Sequence, residues 1–232
     1  MRHLSPARAA RVGILAIVVG GALADAPLAL RTAAADPLVC AAATPAAAAG
    51  SSPTADDGAP ATPAAIPTQS AIEPETNPPG DIPDNQAFVP FTSVDGGYTI
   101  SMPEGWARTE SGPDVRFADK LHTFSVDAGC AAGAPTVESV TSEEATLLAR
   151  QVPAFELVDV TRIELPAGPA VLVRYRTNSA PDDVTGKQIR LDVERYELFK
   201  DGRQVAISLA VPAGSDNVDV ANLVSRSFRW TT

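Results

Sequence analysis

The sequence predicts an α+β domain over residues 87–232: an antiparallel sheet with one inserted helix and one C-terminal helix. Three observations lead there. All twelve aromatic side chains lie from Phe88 onward, whereas residues 1–85 hold 24 of the 41 alanines and 12 of the 21 prolines. Ala and Pro alone cannot build a packed core, so the folded unit is the later stretch, long enough to bury its own core. Within it, short alternating β segments are bounded by Pro and Gly turns, and only two stretches carry a helical stripe instead. Two folded domains are excluded.

The elements follow in order. Tyr98–Met102 (YTISM) reads as a strand that ends at the turn residues Pro103-Glu104-Gly105. Val115–Ala118 and His122–Val126 follow as short strands. Thr141 and Glu144 have capping-box spacing, Glu143 and Glu144 suit a first helical turn, and Leu147, Leu148 and Val152 supply the stripe. Strands resume over Leu157–Leu165, and Pro166-Ala167-Gly168-Pro169 turns the chain into Ala170–Thr177. Ile189, Leu191 and Val193 then alternate, Tyr196 and Leu198 continue in the opposite phase, and Asp201-Gly202 makes a two-residue hairpin turn. The change of phase near Glu194-Arg195 predicts a bulge. Val205, Ile207, Leu209 and Val211 line one face of the returning strand. Asp216 is placed to cap a last helix on which Val220, Leu223, Val224 and Phe228 share a face. Six to eight strands result, with helices to cover one sheet face.

The segment Tyr98–Trp106 (YTISMPEGW), the inserted helix, the hairpin ERYELFKDGRQVAISLAVP and the terminal Ser227–Trp230 (SFRW) resemble the PsbP/Mog1-type domain. The likeness is closest to small exported proteins and lipoproteins of actinobacteria, and it covers residues 88–230. It implies an αβα sandwich used as a binding or assembly module, without a shared catalytic centre.

Ahead of the domain, residues 1–35 read as an export signal. Arg2, Arg8 and Arg11 precede the apolar run Val12–Leu23, and Ala24 or Ala35 offers the small residue before a cleavage site. The run is too short for a comfortable membrane-spanning helix, which needs about 20 residues; an uncleaved anchor is the alternative. Residues 36–86 read as an Ala/Pro-rich disordered linker; its residues 41–85 carry six acids and no Lys, Arg or aromatic residue. It suits a spacer that holds a domain away from a membrane or through a cell wall.

The formal charge of −10 becomes −13 after either cleavage, since 15 basic and 28 acidic residues remain after Ala24 and 14 and 27 after Ala35. An acidic chain without a basic cluster offers no footprint for nucleic acid or for anionic lipid. The two cysteines leave three readings open: a Cys40–Cys130 disulfide, lipidation of Cys40, or free thiols. Val39 before Cys40 is larger than the small residue lipidation sites usually place there.

Sites of chemistry are few. His122 is the domain's one histidine and lies in a strand pattern, where packing is the common role, and no Gly-x-Ser-x-Gly elbow is present. Asp182 and Asp183, with the Thr185 hydroxyl, offer a Ca²⁺ candidate, set against a solvated hairpin loop. Arg174, Arg176 and Arg190 offer an anion-binding strip, set against cross-strand ion pairs with Asp192, Glu194 and Glu197. Trp106 offers a stacking surface for a sugar or lipid, set against packing at the core edge. No cofactor, resident metal or catalytic residue is expected. The expectation is a non-enzymatic binding or assembly module, exported to the cell exterior or envelope, with an envelope protein, lipid or glycan as partner. The alternatives are a lipid or glycan carrier lipoprotein and a hydrolase that uses acidic residues.

Overall fold

In the computed structural model the described residues are Cys40, residues 69–76 and residues 80–231. The expected export signal, both cleavage sites and most of the expected linker lie outside them.

Among the described residues ten strands form two sheets. The larger has seven strands in the order β3 (Ala107–Ser111), β4 (Asp114–Asp119), β5 (His122–Cys130), β9 (Arg203–Pro212), β8 (Arg190–Lys200), β7 (Gly168–Asn178) and β6 (Glu156–Leu165). The smaller comprises β1 (Phe88–Ser93), β2 (Tyr98–Pro103) and β10 (Arg229–Trp230), with β2 central. All paired strands are antiparallel. The inserted helical segment, α1 (Val137–Ser139), a π-helical turn (Val140–Glu144) and α2 (Ala145–Gln151), connects β5 to β6. Helix α3 (Val218–Ser227) precedes β10. The class is α+β, as the sequence predicts.

The central strands of the seven-stranded sheet are covered on both faces, while the edge strands β3 and β6 remain largely exposed. On one, Val140 and Leu148 pack on Val171, Val173, Tyr175 and Val193. On the other, α3 and the small sheet bring Val224, Phe228, Tyr98, Ile100 and Met102 onto Phe124, Leu172, Leu198 and Ile207. Double coverage explains the change of phase in β8. Val193 lies in one core and Tyr196 and Leu198 in the other, so apolar residues appear on both sides of the strand. The predicted bulge at Glu194-Arg195 is absent: β8 pairs in unbroken register with β7 and β9 through both residues. The register shift lies in β6, between Leu157 and Asp159.

The Asp201-Gly202 turn forms as predicted, both residues at positive φ (50° and 78°), the backbone that a two-residue hairpin requires. Both helix starts differ from expectation. The inserted helix begins at Thr136, whose hydroxyl accepts the Ser139 N–H while the Ser139 hydroxyl accepts the Thr136 N–H. That reciprocal pair is a capping box five residues before the expected one. The Thr141 hydroxyl instead donates back to the Val137 carbonyl. Helix α3 starts after Asn217 rather than Asp216, and Leu223 is 45% exposed rather than on its buried face.

The expected linker does not stay clear of the domain up to residue 86. Ile82 is 5% exposed within the core, and its N–H donates to the Asn217 side-chain oxygen at 3.0 Å. The Asn217 amide donates in turn to the Gly80 carbonyl. Farther back, the Ile72 N–H donates to Asn178 Oδ1, and the Asn178 amide donates to the Ser70 carbonyl. A single apolar side chain and a few backbone hydrogen bonds recruit a stretch whose composition reads as disordered.

Candidate functional site

A cleft of about 400 Å³ opens between the β4–β5 hairpin and the loop 179–189. Arg116, on β4, lines it. Its Nη2 donates to Thr123 Oγ1 at 3.0 Å, and its Nε is shielded from solvent without a hydrogen-bond partner among the described residues. Burial lowers the Arg116 pKa, and among the described residues no carboxylate lies within ion-pair distance of it. Of the other cations lining the cleft, Lys120 is exposed and also without an ion-pair partner among the described residues, whereas the remaining two are engaged. Lys187 pairs with Glu75, and Arg190 donates to Glu156 at 2.8 Å, to the Ala154 carbonyl and to Asn178 Oδ1. Nothing in the sequence pattern marks Arg116, because its isolation depends on which strands become its neighbours.

The three arginines predicted as an anion strip are brought together but neutralised. Arg174 Nε donates to Glu194 Oε1 at 2.9 Å with Asp159 at 3.7 Å, and Arg176 Nε donates to Asp192 Oδ1 at 2.9 Å with Glu156 at 3.8 Å. Arg190 shares Glu156 with Arg176. Four carboxylates surround three guanidiniums, so the cluster offers an incoming anion no surplus of positive charge. The glutamate hydrogen bond raises the Arg174 pKa, and the aspartate one raises that of Arg176, which also shows cations already engaged. Glu197, expected among their partners, belongs instead to the opposite side of β8 with Arg195.

Trp106 stacks on the core edge, its ring 4.9 Å from Phe124 and 5.6 Å from His122 between centroids. His122 is buried, with Nε2 against the Gly80 carbonyl. Both are packing residues: Trp106 lies against the main core and His122 meets the backbone at Gly80. In the Ca²⁺ candidate, Asp182 Oδ1 accepts from the Val184 and Thr185 N–H groups and from the Thr185 hydroxyl. Those backbone bonds lower its pKa, and they fold the loop on itself, with the hydroxyl expected as a ligand turned toward the carboxylate. Cys40 and Cys130 form a disulfide. A sulfur so engaged carries no lipid thioether.

Beneath the π-helical turn lies a buried charge cluster that the sequence did not single out. Arg195 Nε donates to Glu144 Oε1 at 2.8 Å and lies 2.5 Å from Glu197 Oε1; Nη1 reaches Asp127 at 3.2 Å and Ser208 Oγ at 3.1 Å. Burial alone would lower the Arg195 pKa, but three carboxylates hold it well above its ordinary value. One guanidinium cannot neutralise three acids. Glu197, fully buried, is the acid that keeps its proton: burial pushes it up to about 8 against the pull of Arg195. Gln204 Nε2 donates to its other oxygen at 2.8 Å. Above the cluster is a cleft of about 300 Å³. π-Helical turns recur at functional positions; here the turn delivers Glu144 to Arg195.

The site and fold together describe an α+β domain with one unpaired cationic cleft and a buried ionic cluster under its inserted helix. Among solved structures the chain is similar to cyanobacterial PsbP (CyanoP) from Synechocystis, with 15% identity, 65% of this chain and 98% of that chain covered, and a TM-score of 0.45. It is similar also to the Ran-binding protein Mog1p of Saccharomyces cerevisiae, with 10% identity, 62% and 95% covered, and a TM-score of 0.41. These are the two proteins after which the domain type resembled by the sequence is named. The likeness is one of fold. No family model and no curated protein matches the chain.

Proposed function

We propose that this protein is a non-enzymatic binding module of the cell envelope or exterior, exported and presented on its N-terminal segment. The observation that carries binding is Arg116, a half-buried guanidinium in a 400 Å³ cleft without a carboxylate partner among the described residues. Clefts of this size with a few convergent polar groups are where proteins hold ligands. The disulfide supports export, since such bonds persist in oxidising compartments. Among the described residues no helix is long and apolar enough to cross a membrane. Binding rather than catalysis is favoured by the engagement of His122 in packing, of both cysteines in the disulfide, and of the buried carboxylates in ion pairs.

The test is native mass spectrometry of the full chain incubated with a cell-envelope extract. A one-to-one adduct whose ligand is recovered chemically unchanged is the expected result. Recovery of a cleaved product, or of no adduct, overturns the reading.

A further inference from the structure

The chemistry of the Arg116 cleft narrows the ligand class, and this step rests on the binding reading above. Arg116 and Ser125 are direct cross-strand neighbours in the β4–β5 register, so their side chains leave the same face of the sheet. Ser125 is 5% exposed and lies outside the cleft lining, and among the described residues its hydroxyl, like Arg116 Nε, has no hydrogen-bond partner. A half-buried guanidinium with a shielded, unpartnered Nε–H and no carboxylate nearby is costly unless an acceptor joins it. The missing partner bears negative charge.

The rest of the cleft says what that charge is attached to. Ala118, Leu121, Ile189, Leu191 and Pro212 supply apolar walls. Asp182 and Asp183 stand at the rim and disfavour a dianion. Lys187 and Arg190 are neutralised by Glu75 and Glu156, which leaves the half-buried Arg116 and the exposed Lys120 as the unpaired cations among the described lining residues. A volume of 400 Å³ holds about a dozen heavy atoms at roughly 30 Å³ each. We propose that this cleft binds an amphiphilic monocarboxylate, its carboxylate on the Arg116 guanidinium and its carbon chain between Leu121 and Ile189.

Isothermal titration of the full chain with decanoate tests this, with decanol and inorganic phosphate as parallel titrants. Decanoate is expected to bind one-to-one, decanol and phosphate at least tenfold more weakly. Arg116→Gln is expected to weaken decanoate at least tenfold, and Arg116→Lys, which keeps the charge but loses the fork, to recover part of the affinity. The double variant Arg174→Glu/Arg176→Glu, outside the cleft, is expected to bind decanoate as the parent does. Circular dichroism melting of each variant separates loss of binding from loss of fold. Undiminished decanoate binding by folded Arg116→Gln overturns the assignment, as does equal binding of decanol or phosphate. Failure of decanoate while the envelope extract still gives an adduct overturns the ligand class and leaves the binding reading standing; failure of both removes the two together.

Discussion

Arg195 Nε donates to Glu144 Oε1 at 2.8 Å across 51 residues of sequence, joining β8 of the large sheet to the π-helical turn above it. Both side chains are largely buried, and among the described residues Arg195 is the one cation that the three acids Glu144, Glu197 and Asp127 share. Removing a buried ion's partner exposes the remainder to an unmet desolvation penalty. Arg195→Met, close in length but uncharged, is therefore expected to destabilise the domain by about 3–5 kcal/mol. The midpoint of urea denaturation followed by Trp fluorescence reads it. A loss under 1 kcal/mol would show that the acids neutralise themselves by protonation.

Stability also depends on pH through the same cluster. The Glu197 carboxyl titrates near 4.5 in the unfolded chain and is pushed up to about 8 by burial in the fold. Between those values the folded state holds a proton that the unfolded state has released. Stability from this group is thus fully present below about pH 4.5 and is lost as pH rises through about 8. The slope is at most about 1.4 kcal/mol per pH unit from one proton. Glu197→Gln is expected to remove that fall. Urea midpoints at pH 5, 6.5 and 8 compare the two proteins, and parallel pH curves would exclude Glu197 as the titrating group.

What the sequence disclosed and what it withheld divide along one physical line. Turn chemistry is local, so Asp201-Gly202 announced its hairpin without help from elsewhere in the chain. Helix starts were blurred because Thr136-Ser139 and Thr141-Glu144 carry similar polar spacing, and tertiary demand decides between them. Glu144 reads as a first-turn acid but serves as the partner of Arg195. Tyr196 and Leu198 looked like evidence of a bulge because a strand covered on both faces has no polar side to keep its phase. The Arg174–Arg176–Arg190 cluster was legible, yet its neutralisation required the positions of Asp159 and Glu156 on β6. Arg116 was invisible for the opposite reason, since only the fold shows a cation to lack a partner.

The segment before β1 contributes to stability through Ile82. Its side chain lies in the main core and its N–H is held by Asn217. Ile82→Ala is expected to cost about 2–4 kcal/mol, within the range for buried aliphatic truncation. A chain starting at residue 87 should lose at least as much relative to one starting at residue 69. Thermal melts of the two chains decide where the domain begins; coincident melting would place the boundary at residue 87.

The disulfide makes the last prediction, because it decides between two fates of one sulfur. With Cys40 bonded to Cys130, digestion without reductant should yield the two peptides joined, and reduction should release a Cys40 peptide of unmodified mass. The bond closes a loop spanning 90 residues of separation, for which the chain-entropy relation sets an upper value of about 4–5 kcal/mol. Cys130→Ser should therefore lower the urea midpoint by a part of that value. It should leave decanoate affinity unchanged, since Cys130 ends β5 far along the strand from Thr123 at the cleft. A Cys40 peptide carrying acyl chains would instead assign the sulfur to membrane attachment.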